Sequence, residues 1–264
     1  MTARDALDGA VPALAAAGCE TPELDAELLV ADALGVERAA LFTDPDAPVP
    51  GAVARVIGER VRRRVAREPV AYILGRKGFR HIDLAVDPRV LIPRPETELL
   101  VEVALDLPAG AQVHEVGTGS GAVALALLHE RPDLTVSASD SSPSAVEVAR
   151  ANADRLGLPL AVEETAGLPS ARYDLVLANL PYVREDEWAG LQPEITRYEP
   201  RDALVAGPDG LDAIRALVEE APPGIQVALE HAPGQTDAVR GLLSAAETRR
   251  DLAGRERVTV GRVP

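Results

Sequence analysis

Cysteine occurs once, as Cys19, in 264 residues. A single thiol excludes an intrachain disulfide framework and a cysteine-built zinc cage, and it fits a reducing compartment. Aromatic residues make up 3% of the chain, too few for the stacking platforms of single-strand nucleic-acid binders. Lysine is nearly absent: Lys77 stands alone among 27 basic residues, a bias that reads as nucleotide composition or thermal adaptation. Basic charge as a whole is short, with 27 Lys+Arg against 42 Asp+Glu and a net charge of -15. That balance opposes a broad nucleic-acid footprint, so nucleic acid is not the expected main substrate. No stretch reaches the ~18 uninterrupted apolar residues of a membrane span. Met1-Thr2-Ala3-Arg4-Asp5 lacks the basic start and apolar run of a secretory signal. A cytoplasmic setting with no membrane partner is expected.

Apolar residues, at 47%, are ample for a packed core. Residues 1–69 read as a small helical bundle. Ala6, Ala10, Leu14 and Ala17 recur at helical spacing, Thr21-Pro22 opens a second helix, and Val53, Val56, Ile57, Val61 and Val65 mark another before Pro69. Residues 70–94 turn β-rich around Gly75, Gly78 and Pro88 and read as a hairpin linker. From 95 to 264 short apolar strands alternate with helices. Helices are expected over 96–107, 121–130, 143–156, 208–220 and 234–245. Strands are expected over 112–116, 134–138, 160–162, 173–178 and 226–230. Such alternation predicts an α/β domain with a doubly wound, mostly parallel, Rossmann-like sheet.

The first of these strands ends in Glu115-Val116-Gly117-Thr118-Gly119-Ser120-Gly121 and opens into a helix. Glycines there let backbone approach a ligand, and the helix start offers unpaired N–H groups. The G-x-G-x-G spacing differs from the dinucleotide fingerprint, and Glu115 suits a bulkier, cationic cofactor. Asp140 ends the next strand, placed to accept from both hydroxyls of a nucleoside ribose or to cap the following helix. The strand over 173–178 runs into Asn179-Leu180-Pro181-Tyr182. Asn179 Oδ1 and the Leu180 carbonyl are two acceptors able to grip both hydrogens of a planar NH2 group and aim its nitrogen at an electrophile. An ordinary Asn-Pro turn is the plainer alternative.

In this order the motifs resemble those of class I S-adenosylmethionine-dependent methyltransferases acting on amide or exocyclic amine nitrogens. Leu91-Ile92-Pro93-Arg94-Pro95-Glu96-Thr97-Glu98 is similar to the segment before the first helix in bacterial release-factor glutamine methyltransferases, the HemK/PrmC family. The segments 68–75, Glu199-Pro200, 207–211 and 251–255 are similar too, so the resemblance spans nearly the whole chain. It implies methylation of the glutamine amide in the Gly-Gly-Gln motif of peptide chain release factors, with S-adenosylhomocysteine as the product. It also implies that Gly117, Thr118, Gly119, Ser120 and Gly121 hold S-adenosylmethionine with Asp140 on its ribose. Arg94 and Thr97 would stand at its methionine end, Glu163 and Glu164 near its adenine, and Asn179, Leu180, Pro181 and Tyr182 would form the catalytic turn, with Tyr182 packing on the amide. The helical domain would recognise the release factor.

Two departures from the family pattern stand out. Leu180 replaces the first proline of Asn-Pro-Pro-Tyr, which removes a fixed φ and gives a turn also similar to that of ribosomal-RNA adenine dimethyltransferases. No aromatic follows Glu163-Glu164. Adenine-amine methylation on nucleic acid, and a non-catalytic cofactor- or release-factor-binding protein, are the alternative functions. Arg60, Arg62, Arg63, Arg64, Arg67, Arg76, Lys77 and Arg80 form a basic stretch, either a surface for an acidic partner or a solvated helix face. His81, His114, His129 and His231 lack metal-ligand spacing, and Glu230-His231 at a strand end reads as structural.

Overall fold

The computed structural model describes residues 1–264. The chain forms two compact units, one of Met1–Gly75 with Gln192–Tyr198, the other of Arg76–Leu191 with Glu199–Pro264.

The first unit is helical: α1 Ala3–Ala16, α2 Pro22–Leu34, α3 Ala40–Thr43, α4 Gly51–Val65 and α5 Val70–Leu74. The Thr2 hydroxyl accepts from the Asp5 N–H while the Asp5 carboxylate accepts from the Thr2 N–H, so α1 begins in a reciprocal cap. Ala6, Leu14, Leu29, Val30 and Ile57 are buried among the helices. The β-rich reading of residues 70–74 is corrected: they form one helical turn, stopped by Gly75 in the left-handed region. The basic stretch is corrected as well. Arg60 pairs with Asp32, Arg63 with Glu68, Arg64 with Asp25 and Glu194, and Arg67 with Glu194. These arginines are engaged in structural ion pairs, and buried Arg64 holds two carboxylates at 2.7 Å each. Farther on, Arg80 closes on Glu130.

The second unit opens with an antiparallel hairpin, β1 Arg76–Phe79 and β2 Ile82–Ala85. It continues through α6 Glu98–Leu105, β3 Gln112–Val116, α7 Ala122–Glu130, β4 Thr135–Asp140, α8 Pro143–Leu156, β5 Ala161–Glu164 and β6 Leu175–Ala178. The short helix α9 Pro193–Tyr198 follows and clusters with the helical unit. Then come α10 Asp212–Glu220, β7 Gln226–Glu230, α11 Thr236–Gly241, β8 Ser244–Arg250 and β9 Glu256–Arg262.

The sheet order is β5-β4-β3-β6-β7-β9-β8, parallel from β5 to β7 and antiparallel beyond. The parallel strands are covered on both faces, which is why Leu175–Ala178 is a continuous buried apolar run rather than an alternating one. Helix α7 is buried from Ala122 to Leu128, so its sequence shows no polar stripe. The chain reverses its direction of travel across the sheet between β3 and β6, and ligands bind at such points beyond the strands' carboxyl ends. At the far edge, the helix expected over 234–245 ends at Gly241, and Ser244–Arg250 is a strand.

Candidate active site

A cleft of about 450 Å³ lies at the carboxyl edge of the sheet, within the usual range for small-molecule sites. Its walls include Arg94, Thr97, residues 115–120, Asp140, Thr165, Ala166 and the run Asn179, Leu180 and Pro181. Residues far apart in the chain, singled out from sequence as one site, therefore share one cavity. Glu163 and Glu164 are exposed and do not line it; Thr165 and Ala166 occupy that wall. Tyr182 turns away, its hydroxyl donating to Glu230 Oε1 at 3.3 Å.

The turn after β3 is held from beneath. Glu115 is buried, and its Oε2 accepts from the Thr118 hydroxyl at 2.6 Å and the Ala124 N–H at 3.0 Å. A Cβ on Gly121 would stand 2.8 Å from Leu125 Cδ1, so helix α7 packs too closely for any side chain there. A Cβ on Gly119 would meet no protein atom within 4 Å. The loop thus presents open backbone to the cleft. Asp140 accepts from the Gly119 N–H at 2.8 Å and the Ser142 N–H at 2.9 Å, one on each carboxylate oxygen, and each oxygen keeps lone-pair capacity for a ligand hydroxyl. The cap of α8 is Ser142, whose hydroxyl accepts from the Ala145 N–H. Asp140 is therefore not the helix cap.

Burial pushes the Glu115 carboxyl up to about 8, Asp140 adds to the rise, and the bonds from Thr118 and Ala124 oppose it. The folded chain then holds a proton at neutral pH that the unfolded chain releases. Stability from this group falls as pH rises from the ordinary carboxyl range to about 8. Glu115→Gln keeps both bonds, because a single oxygen accepts them. Urea denaturation over a pH series is expected to show a shallower loss of stability in this variant than in the wild type.

The turn after β6 is fastened on every side. Asn179 Nδ2 donates to Thr97 Oγ1 at 3.0 Å, which leaves Oδ1 as its end for a ligand. Leu180 packs on the glycine turn, and a Cβ on Gly117 would be 3.0 Å from Leu180 Cδ2. The Val183 N–H donates to the Leu204 carbonyl and the Ala206 N–H to the Val183 carbonyl. Gln235 Nε2 donates to the Tyr182 carbonyl at 2.9 Å and the Asp209 carbonyl at 3.0 Å. Glu199, also buried, accepts from Arg94 at 2.5 Å and from the Ile92 N–H at 3.2 Å, shaping the wall that carries Arg94.

Gln235 was not noted from sequence, and Glu199 and Glu230 were noted there without being given a part in the site. The available signal was position: Glu230 is an ionisable residue closing an apolar strand at the ligand edge, and Glu199 precedes a proline. Two of the histidines, His114 and His231, are structural. His114 bridges Ser137 and Ser139, and burial pushes its pKa down to about 4; His231 bonds Thr259 and the Ala232 carbonyl. No group of His, Cys, Asp or Glu is arranged to hold a metal ion, and no helix is long and apolar enough to cross a membrane.

Solved structures share the fold at low identity. The hMettl16 catalytic domain, in complex with a 3'UTR hairpin, superposes with a TM-score of 0.57 at 13% identity, covering 78% of this chain and 82% of that one. A methyltransferase from Pyrococcus furiosus gives 0.51 at 19% identity, covering 78% and 98%. Residues 5–75 match the PrmC N-terminal domain and residues 95–193 the methyltransferase small domain. Release factor glutamine methyltransferases from Xylella fastidiosa (strain Temecula1) and Cereibacter sphaeroides are each 42% identical to it. The first covers 95% of this chain and 97% of its own length, the second 100% and 99%. That of Geobacter sulfurreducens is 39% identical over 99% of this chain and 97% of its own. With both domains matched and the similarity running end to end, the chain belongs to the release factor glutamine methyltransferase family.

Proposed function

We propose that this protein transfers one methyl group from S-adenosylmethionine to the side-chain amide nitrogen of the Gly-Gly-Gln glutamine of peptide chain release factors. The observation that carries this reading is the committed orientation of Asn179. With Nδ2 given to Thr97, Oδ1 is left for a ligand; Asn179 and Leu180 both line the cleft, where Oδ1 and the Leu180 carbonyl would act as paired acceptors. Two acceptors suit an NH2 group with two hydrogens to give, and its nitrogen is then aimed rather than ionised. Whole-length relatives named for this activity support the substrate.

The cleft suits the cofactor in size and donor set. Open backbone at Gly119 and the Asp140 carboxylate for a ribose would receive the nucleoside, while the Glu115 carboxyl braces the turn from beneath. When bound, the cofactor supplies an electrophilic methyl on a sulfonium sulfur. Asn179 and Leu180 hold the amide hydrogens, so the nitrogen presents itself along the line of transfer. As the new N–C bond forms and the S–C bond breaks, one amide proton passes to water and the sulfur is left neutral. Thr165 and Ala166 are assigned to the adenine end in place of Glu163 and Glu164, and Arg94 and Thr97 to the methionine end. The helical unit is assigned to recognition of the release factor, in the cytoplasm.

Incubation with purified release factor and labelled cofactor, followed by peptide mapping, tests this. One methyl on the Gly-Gly-Gln peptide is the expected result. Label entering RNA or DNA instead would support adenine-amine methylation, and cofactor binding without transfer would support a binding protein.

A further inference from the structure

A glutamine that does not line the cleft joins three segments at the carboxyl edge of the sheet. Gln235 closes a 3-10 turn over Pro233–Gln235, just past β7, and is 9% exposed. Its Oε1 accepts from the Ala232 N–H at 3.0 Å, which anchors the amide to the end of β7. Its Nε2 donates to the Tyr182 carbonyl at 2.9 Å and to the Asp209 carbonyl at 3.0 Å. Both hydrogens of the amide are thereby spent. Turned over, the amide would set its oxygen against two carbonyl oxygens, so only one orientation satisfies the site. Room for it comes from Gly210, where a Cβ would stand 2.7 Å from Nε2. The parallel register pairs Ala178 with Leu229, so the turns that carry Asn179 and Gln235 leave adjacent strands at the same level.

What this amide holds is the far end of the turn that carries the second acceptor. No backbone N–H donates to the Leu180 carbonyl, which leaves it for a ligand and leaves its direction to the peptide planes on either side. Upstream, Asn179 is tied to Thr97 and Leu180 packs against Gly117. Downstream, the Pro181 ring fixes one torsion, and the next fixed point is the Tyr182 carbonyl. A Tyr182 peptide plane able to rock would carry the Leu180 carbonyl with it through Pro181. We propose that Gln235 is a positioning residue for methyl transfer, aiming the Leu180 carbonyl by holding the Tyr182 carbonyl in place. The proposal rests on the amide-methylation reading above.

Gln235→Glu separates positioning from turn-making. One carboxylate oxygen still accepts from Ala232, while the other faces two carbonyls that have lost their donor. Gln235→Met removes all three bonds at similar length. With cofactor and release factor saturating, kcat is expected to fall about tenfold in Gln235→Met, the scale of the one bond to Tyr182, and at least as far in Gln235→Glu. Cofactor affinity by calorimetry is expected to stay within about twofold and KM for release factor within about threefold. The glycine turn and Asp140 keep their own supports in both variants. A glutamine needed only for the 3-10 turn would tolerate glutamate. A Gln235→Glu kcat within about twofold of wild type, or a loss that falls on cofactor affinity rather than on kcat, therefore overturns the proposal. Should both variants fail to fold, Ala232→Pro decides. Ala232 has φ -69 and ψ 148, which proline adopts, and the change removes the N–H that anchors Oε1. Its kcat is expected to fall about threefold with both affinities kept, and an unchanged kcat overturns the role. A wild type that leaves the release factor unmodified overturns the functional reading itself. A working wild type with unchanged kcat in these variants overturns only the part assigned to Gln235.

Discussion

Asn179→Ala is expected to lower kcat for release-factor methylation by roughly a hundredfold to a thousandfold, the scale for losing one preorganised polar contact to a reacting group. The amide nitrogen is a poor nucleophile, and holding it between two acceptors calls for no base to ionise it. Rate therefore depends on how the NH2 group is held while the methyl approaches. Alanine removes Oδ1, leaving the Leu180 carbonyl to hold one hydrogen and the other free to swing. It also releases Thr97, whose oxygen loses the Nδ2–H it accepts at 3.0 Å. Cofactor affinity is expected to change no more than about threefold, because the glycine turn and Asp140 keep their own supports. The loss should fall on kcat rather than on binding, as steady-state kinetics with separately saturated substrates would show. Unchanged turnover would remove the paired-acceptor account.

The parts of this site that were legible in the sequence are those where backbone geometry restricts residue type. Gly117, Gly119 and Gly121 show through because close packing at Leu180 and Leu125 leaves no room for side chains at two of them. Asp140 and Asn179 show through because each stands at the carboxyl end of a short strand at the ligand edge, a position that can be counted. The strand–helix alternation itself was readable most clearly where a buried parallel strand is an unbroken apolar run, as at Leu175–Ala178. Long-range pairing was not readable. Ser244–Arg250 has the alanine, glutamate and arginine of a helix and becomes an edge strand because β9 offers it a ladder. The basic stretch looked like free charge because the partners of Arg64 and Arg67, Asp25 and Glu194, are distant in sequence. Glu230 looked structural for the same reason. Its hydrogen-bond partner, Tyr182, is 48 residues away by number.

Gly210→Ala is expected to cost about 3 kcal/mol of stability and, with it, most of the activity. Gly210 sits at φ +74, where a side chain strains the backbone by about 1–2 kcal/mol. A Cβ there would also lie inside the envelope of the Tyr182 carbonyl oxygen and 2.7 Å from Gln235 Nε2. Neither neighbour has room to give. The carbonyl belongs to the turn that carries Asn179 and Leu180, and Gln235 is tied to that carbonyl, to Asp209 and to the Ala232 N–H. Overpacking of this kind adds about 1–3 kcal/mol. For a protein of this size the sum corresponds to roughly a 10 °C lower melting temperature. Gly224→Ala separates the two causes. Gly224 has a similar φ of +81, yet its Cβ would touch nothing within 4 Å. It is expected to lose only the backbone part, about 1 kcal/mol, and to keep full turnover. Equal losses in the two variants would mean that the segment 207–211 does not brace the turn. A larger loss at Gly210, with kcat reduced in the fraction that remains folded, would show that the Gly-Pro-Asp-Gly-Leu segment acts as a template for the Asn-Leu-Pro-Tyr turn.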